Sequence, residues 1–248
     1  MYWISCANKD RAIASSFGAA VGLILIVSGA SSKVLAATAS KYRASQYREL
    51  GLSYQQQERY SLAIRAMKKS VELDPENIMG RVNLGWVQHL AGKDNAASQS
   101  LWQAIDRNPV SVPALNALGI VNLVTGNLAA AVAVHLWAAI LQPKDEVAYY
   151  NLSLAFERLR LYEWAIATAK SAATLEPHNP HPLVASAIAY WEVGDRDRAK
   201  LAYQQAQNLD SRYSDRTFLP NLKKAGFSQS QIQKAEQVCS GNVHQKKN

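Results

Sequence analysis

Apolar, small and polar positions recur along this chain at a fixed interval of 34 residues. Ala63, Ala97, Ala131, Ala165 and Ala199 stand on one such ladder. Leu50, Leu84, Leu118 and Leu152 stand on a second, each followed by a small residue: Gly51, Gly85, Gly119 and Ser153. Ala104, Ala138, Ala172 and Ala206 form a third, and Pro75, Pro109, Pro143 and Pro177 a fourth. Self-similarity of this kind marks a repeat architecture. Numbered from 1 to 34, the units are 44–77, 78–111, 112–145, 146–179 and 180–213. Each is predicted to be two antiparallel helices, A and B, joined by a short turn.

The ladders have physical reasons. A small residue at position 8 and alanine at position 20 suit a point where helices A and B cross with their backbones close together. Leucine at position 7 fills the space beside that crossing, and alanine at position 27 lets helix B pack on the next unit. Proline at position 32 ends helix B, because it lacks the donor and disfavours helix in the residue before it. Position 34 holds Asn77, Ser111, Asp145 and Asn179, all preferred N-cap residues, placed just before the next helix A. Gly92, Gly126 and Gly194, at position 15, mark the A–B turn in units 2, 3 and 5. Departures cluster at the ends: Ser70 stands on the position-27 ladder, Ser186 on the leucine ladder and Ser211 on the proline ladder.

Over residues 44–213 these features resemble the tetratricopeptide repeat (TPR) family. The resemblance implies an all-α fold, a right-handed superhelix of five helix–turn–helix repeats. After the repeats, a short helical pattern runs from Thr217 to Lys224 with Gly226 as its stop. Ser228 and Gln231 then read as a capping box, predicting a helix from Gln229 to Val238. Residues 214–240 are expected to cap the open face of repeat 5. The polar tail, 241–248, is expected to be disordered.

An uncharged run from Ala12 to Ser32, centred on Gly22 to Val27, adds an N-terminal apolar helix to that plan. It is long enough to cross a bilayer, which takes about 17–25 residues. Lys9 and Arg11 before it and small residues after it also suit a signal peptide. We therefore expect residues 1–39 to be a retained membrane anchor, with a cleaved, exported protein of the periplasm or a lumen as the alternative. The side of the membrane that bears the repeats stays open at this point.

Composition narrows the function classes. The net charge is +8, but the lysines and arginines are scattered, so no basic stripe for nucleic acid is expected. The two cysteines, Cys6 and Cys239, give neither metal spacing nor a disulfide framework. His135 falls at a core position of helix B and is expected to be packed. No nucleophile–base pair, phosphate loop or carboxylate pair suggests catalysis, and no cofactor is expected.

The resemblance instead implies a concave groove lined by helix A at positions 2, 5, 6, 9, 12 and 13. Repeat 1 would give Arg48, Leu52 and Gln55. Repeat 2 would give Met79, Val82, Asn83, Trp86 and His89, and repeat 3 Asn116, Ile120, Leu123 and Val124. From repeat 4 would come Tyr150, Asn151, Leu154, Glu157 and Arg158, and from repeat 5 His181, Val184, Ile188 and Trp191. Aromatic side chains suit interface anchors. Asn83 and Asn151, both at position 6, resemble the asparagines with which TPR proteins hold an extended peptide backbone. The cationic clamp of a chaperone-binding subclass is incomplete here, since Leu52, Pro113 and Ala117 replace three of its residues. The expected function is a scaffold for a protein partner. An N-terminal anchor with a short TPR array resembles assembly factors of bacterial envelopes and photosynthetic membranes; a regulatory subunit of an enzyme is a further alternative.

Overall fold

The computed structural model describes residues 30–243, with side chains over 34–241. The chain divides into two units, Met1–Ser40 and Lys41–Asn248. The apolar centre of the N-terminal run lies outside the described residues. Among the described residues, no helix is long and apolar enough to cross a membrane.

From Lys41 on, the described chain is helical throughout. Helix α1 (Ala30–Gln56) ends as helix A of repeat 1 and pairs with α2 (Tyr60–Leu73). Then come α3 (Ile78–Leu90) with α4 (Asp94–Arg107), and α5 (Val112–Thr125) with α6 (Leu128–Leu141). Helices α7 (Glu146–Arg158) and α8 (Tyr162–Leu175) make repeat 4; α9 (Pro180–Glu192) and α10 (Arg196–Leu209) make repeat 5. From α2 on, each helix packs on the next in sequence, α1 meets α2 at Gly51 and Ala44, and the A helices also touch one another, α3 with α5, α5 with α7 and α7 with α9. The fold is the tandem helical array expected from the ladders.

The alanine ladder at position 20 is closed to solvent: Ala63, Ala97, Ala131, Ala165 and Ala199 are all at most 1% exposed. The glycines at position 8 have a specific reason that the sequence did not reveal. A Cβ on Gly51 would lie 2.8 Å from Met67 Cε, and one on Gly85 would lie 2.6 Å from Leu101 Cγ. A Cβ on Gly119 would strike the His135 ring. Met67, Leu101 and His135 all occupy position 24. In repeat 4 the relation reverses, with Ser153 at position 8 and Ala169 at position 24. A large residue on helix B is thus matched by the absence of one on helix A.

Turn geometry repeats as well. Gly92, Gly126 and Gly194 adopt φ of +70°, +86° and +83°. Glu58 and Arg160, at the same position 15 in repeats 1 and 4, adopt φ of 57° and 60°. The left-handed turn is therefore common to all five repeats, and two of them hold it with a non-glycine residue, a conformation that costs about 1–2 kcal/mol.

Helix B ends at position 30 in every repeat. The position-31 amide then bonds the position-27 carbonyl: Asp74 to Ser70, Asn108 to Ala104, Gln142 to Ala138, Glu176 to Ala172 and Asp210 to Ala206. Repeat 5 makes this ending without proline. Ser211 opens a 3-10 turn, and Asp210 bonds the Arg212 amide and guanidinium. Ser70 keeps its place on the alanine ladder by donating its hydroxyl to the Ala44 carbonyl at 2.7 Å.

Joints between repeats carry buried polar contacts. Asn77 and Asn179 act as N-caps, accepting from the Gly80 and His181 amides. Asn116 Nδ2 donates to Asp145 Oδ2 at 2.5 Å, and Asn116 Oδ1 faces His135 Nδ1 at 3.3 Å. Burial pushes the His135 imidazole down to about 3, so the ring is neutral. Asn179 Nδ2 also donates to Glu146 Oε1 at 3.0 Å. Burial raises the Glu146 carboxyl to about 7, the Asn179 amide opposing it and the Glu176 and Asp145 charges adding to it.

Both the matched pair and the buried carboxyl can be tested. Gly119→Ala should destabilise the protein by about 1–3 kcal/mol through overpacking against His135. Adding His135→Ala should recover part of that loss, as a double-mutant cycle in urea unfolding would show; purely additive costs would refute the matched pair. For Glu146, the folded state holds a proton that the unfolded state has released between pH 4.5 and about 7. Stability should therefore fall as pH rises through that window. Glu146→Gln should flatten the fall in thermal melts taken from pH 4.5 to 8.

Candidate functional site

Position 9 of helix A carries an apolar residue in every repeat: Leu52, Trp86, Ile120, Leu154 and Ile188. Because α3, α5, α7 and α9 touch in turn, Trp86, Ile120, Leu154 and Ile188 form one spine along a single face, with Leu52 at the same position of repeat 1. The two ends of the spine differ. Leu154 and Ile188 are each 1% exposed, whereas Leu52 is 37% exposed and Trp86 and Ile120 are half-buried.

The cover over repeats 4 and 5 is the chain's own C-terminal segment. A 3-10 helix, Leu219–Ala225, ends at Gly226 with φ +88°. Helix α11 (Gln229–Val243) follows. Ser228 and Gln231 exchange both capping bonds, the Ser228 amide to Gln231 Oε1 at 2.9 Å and the Gln231 amide to Ser228 Oγ at 3.3 Å. Gln231 Nε2 goes on to donate to the Leu154 carbonyl at 3.1 Å. The Tyr150 hydroxyl donates to the Ala225 carbonyl at 2.6 Å, and its ring lies 6.2 Å from that of Phe227. Lys234 Nζ lies 2.7 Å from Glu157 Oε1 and 3.1 Å from Glu192 Oε2. Burial works against the Lys234 ammonium, but the two carboxylates outweigh it and hold its pKa above the ordinary lysine range. At the far end, Gly241 packs on Trp191, which also lies 3.6 Å beneath the Arg196 guanidinium.

This arrangement revises the expected groove. Tyr150, Leu154, Val184 and Ile188 lie under the C-terminal segment or within the packing, not on an open surface. Asn151 is buried and bonds the Val147 carbonyl of its own helix, so it does not present its amide to a ligand. In repeats 2 and 3, Val82, Asn116 and Leu123 are buried too, Asn116 between Asp145 and His135. What stays accessible is a strip over repeats 1 to 3. Met79 is 37% and Val124 50% exposed, and Asn83, Trp86, His89 and Ile120 are half-buried beside them. The Trp86 and His89 rings lie 5.3 Å apart, and His89 Nδ1 meets Asp94 Oδ1 at 2.6 Å. Sequence reasoning missed Phe227, Gln231 and Lys234 as groove contacts. The available signal was the pair Glu157 and Glu192 at concave positions of adjacent A helices, which together call for a cation.

Comparison with known proteins agrees with this geometry. Tetratricopeptide-repeat family models match residues 44–77 and 182–213. No curated protein matches the sequence. Among solved structures, TTC0263, a thermophilic TPR protein of Thermus thermophilus, is 21% identical. That alignment covers 73% of this chain and 98% of the other, with a TM-score of 0.59. MamA from residue 41 to its end, of Desulfovibrio magneticus RS-1, is 19% identical over 68% of this chain and 96% of that one, with a TM-score of 0.62. YrrB, described as a TPR protein with an unusual peptide-binding site, is 15% identical over 78% and 97%, with a TM-score of 0.58. These likenesses are of fold. With the repeat matches at both ends of the array and the helix pairs between them, the chain is a tetratricopeptide-repeat protein, a helical scaffold of the protein-interaction type.

Proposed function

We propose that this scaffold is non-enzymatic and binds a partner protein on the concave strip of repeats 1 to 3. One observation carries the reading: the apolar spine is sealed at Leu154 and Ile188 but reaches the surface at Leu52, with Met79 and Val124 exposed at concave positions of α3 and α5. A contiguous exposed apolar surface marks an interaction site, and a tryptophan at its centre is the kind of residue that dominates binding energy.

Trp86→Ala should weaken capture of a partner from detergent-solubilised membranes by about 2 kcal/mol or more. Asn83→Ala should cost about 0.5–1.5 kcal/mol. Neither should lower the melting temperature greatly. Tyr150→Ala should do the reverse, loosening the C-terminal cover and lowering the melting temperature. Lys170→Ala, on the outer surface, should change neither. A Trp86→Ala protein that binds normally would remove the concave strip from consideration.

We further propose that the uncharged run from Ala12 to Ser32 holds the repeats at a membrane. Its length of 21 residues without a charge supports the reading. Deleting residues 1–39 should move the protein from the membrane fraction to the soluble fraction with its helicity intact. Soluble protein beginning at Ala37 or Ser40 would replace the anchor with a cleaved leader.

A further inference from the structure

We infer that the outer face of α6 is a second membrane contact, a ridge that beds in the headgroup layer of an anionic bilayer. This rests on the uncharged run holding the array at a membrane, which brings the ridge within reach of lipid.

The sequence of α6 is out of step with the other B helices. From Leu128 to Leu141 it holds no charged residue. Position 26 is Trp137, where the other repeats have Lys69, Gln103, Ser171 and Gln205. Position 29 is Ile140, where they have Glu72, Asp106, Thr174 and Asn208. A helix that is apolar all round is normally buried on every side. Here the inner side is buried, at Ala131, Val134, His135 and Ala138. The outer side is not. Ala129, Ala133, Leu136 and Ile140 follow one another at helical spacing and are all exposed, Ile140 at 76%. Trp102, exposed at position 25 like Leu136, extends the patch onto α4. An isoleucine so placed adds nothing to the core of the array, so the stripe serves a surface outside it.

The surroundings point to lipid as that surface. Along the B helices, position 25 runs Lys68, Trp102, Leu136, Lys170 and Gln204, apolar in the middle and cationic on both flanks. Lys69 and Lys144 add to the flanks, and all four lysines are exposed. Lys69 also pairs with Glu72 at 2.9 Å, and Lys170 lies over the Tyr190 ring. Indole rings sit at headgroup level in a bilayer, aliphatic side chains lie below them, and ammonium groups meet phosphate. A second copy of the chain fits less well. Successive A helices touch, whereas successive B helices make no comparable contact, so α6 stands as a ridge one helix wide. A rigid partner would cover little of it, against about 1,200–2,000 Å² in a stable protein interface. Lipid moulds around a ridge. One such ridge is a weak contact by itself, and tethering supplies the effective concentration that it needs.

The test uses full-length protein with Cys6→Ser, in which the remaining cysteine, Cys239, is buried. Ala133→Cys carries an environment-sensitive fluorophore on the stripe, and Gln204→Cys carries it on α10 as a control; both sites are exposed. Each protein is reconstituted in vesicles of phosphatidylcholine and phosphatidylglycerol in equal parts, with plain or chain-brominated lipid, and flotation reports attachment. Bromine should quench the label at residue 133 and leave that at residue 204 bright. Ile140→Glu should cut the docked fraction by about ten-fold, because a carboxylate enters lipid far less readily than isoleucine, with flotation and circular dichroism unchanged. Ile140→Leu should keep the quenching, and phosphatidylcholine alone should reduce it. Protein that floats with its residue-133 label unquenched would overturn the ridge and leave the anchor standing. A blue-shifted label that brominated lipid fails to quench would put protein over α6 and overturn the inference as well. So would quenching indifferent to Ile140→Glu or to the loss of phosphatidylglycerol. Protein that does not float would overturn the anchor and, with it, the second contact.

Discussion

Everything in this protein depends on two helices being able to touch at backbone distance. A methyl group is the largest side chain tolerated at position 20, where all five alanines are buried. Opposite, position 8 has room only for what position 24 leaves. With these contacts made, each A helix lies flat against its B helix and the next pair can stack without a gap. Loose packing there would tilt successive A helices away from one another and break the spine that they carry. The concave surface is therefore a product of small residues that never reach it.

The other organising feature is the use the chain makes of its own end. Covering Leu154 and Ile188 removes apolar area from water at two repeats, and the buried charges come as a matched set. Glu157 is 3% exposed at its side chain, and the Lys234 ammonium reaches both it and Glu192. A buried carboxylate without such a partner would be strongly unfavourable. Those acids thus belong to the seal; the same positions of repeats 2 and 3 hold His89, Leu90, Leu123 and Val124, none of them a carboxylate.

Most of the fold was legible in the residues, because its signals are local and periodic. The prolines, the alanines and the Ser228–Gln231 capping box each act over a few residues, and each stands where its pattern placed it. The left-handed turns at Glu58 and Arg160 were not legible, since neither residue type favours that conformation and only the packing of the flanking helices imposes it. N-cap residues gave a mixed signal: Asn77 and Asn179 cap their helices, while the Asp145 carboxylate is bonded by Asn116. The groove was half legible. Position 9 could be read as a ladder, but Lys234 and Glu157 lie 77 residues apart, and no spacing rule connects them. Position 5 is interior throughout repeats 2 to 5: Val82, Asn116, Tyr150 and Val184 are buried, Asn116 against Asp145 and Tyr150 against the C-terminal segment, contacts that the resemblance alone does not reveal.

The C-terminal seal also gives the array a polarity with respect to gene duplication. A 34-residue unit copied within repeats 1 to 3 would lengthen the exposed spine by one step and leave the cover untouched. The same copy inserted between repeats 4 and 5 would separate Glu157 from Glu192, which share a single lysine. Repeats 4 and 5 are therefore tied to each other by one side chain from outside the array, a constraint on insertion that acts at that joint.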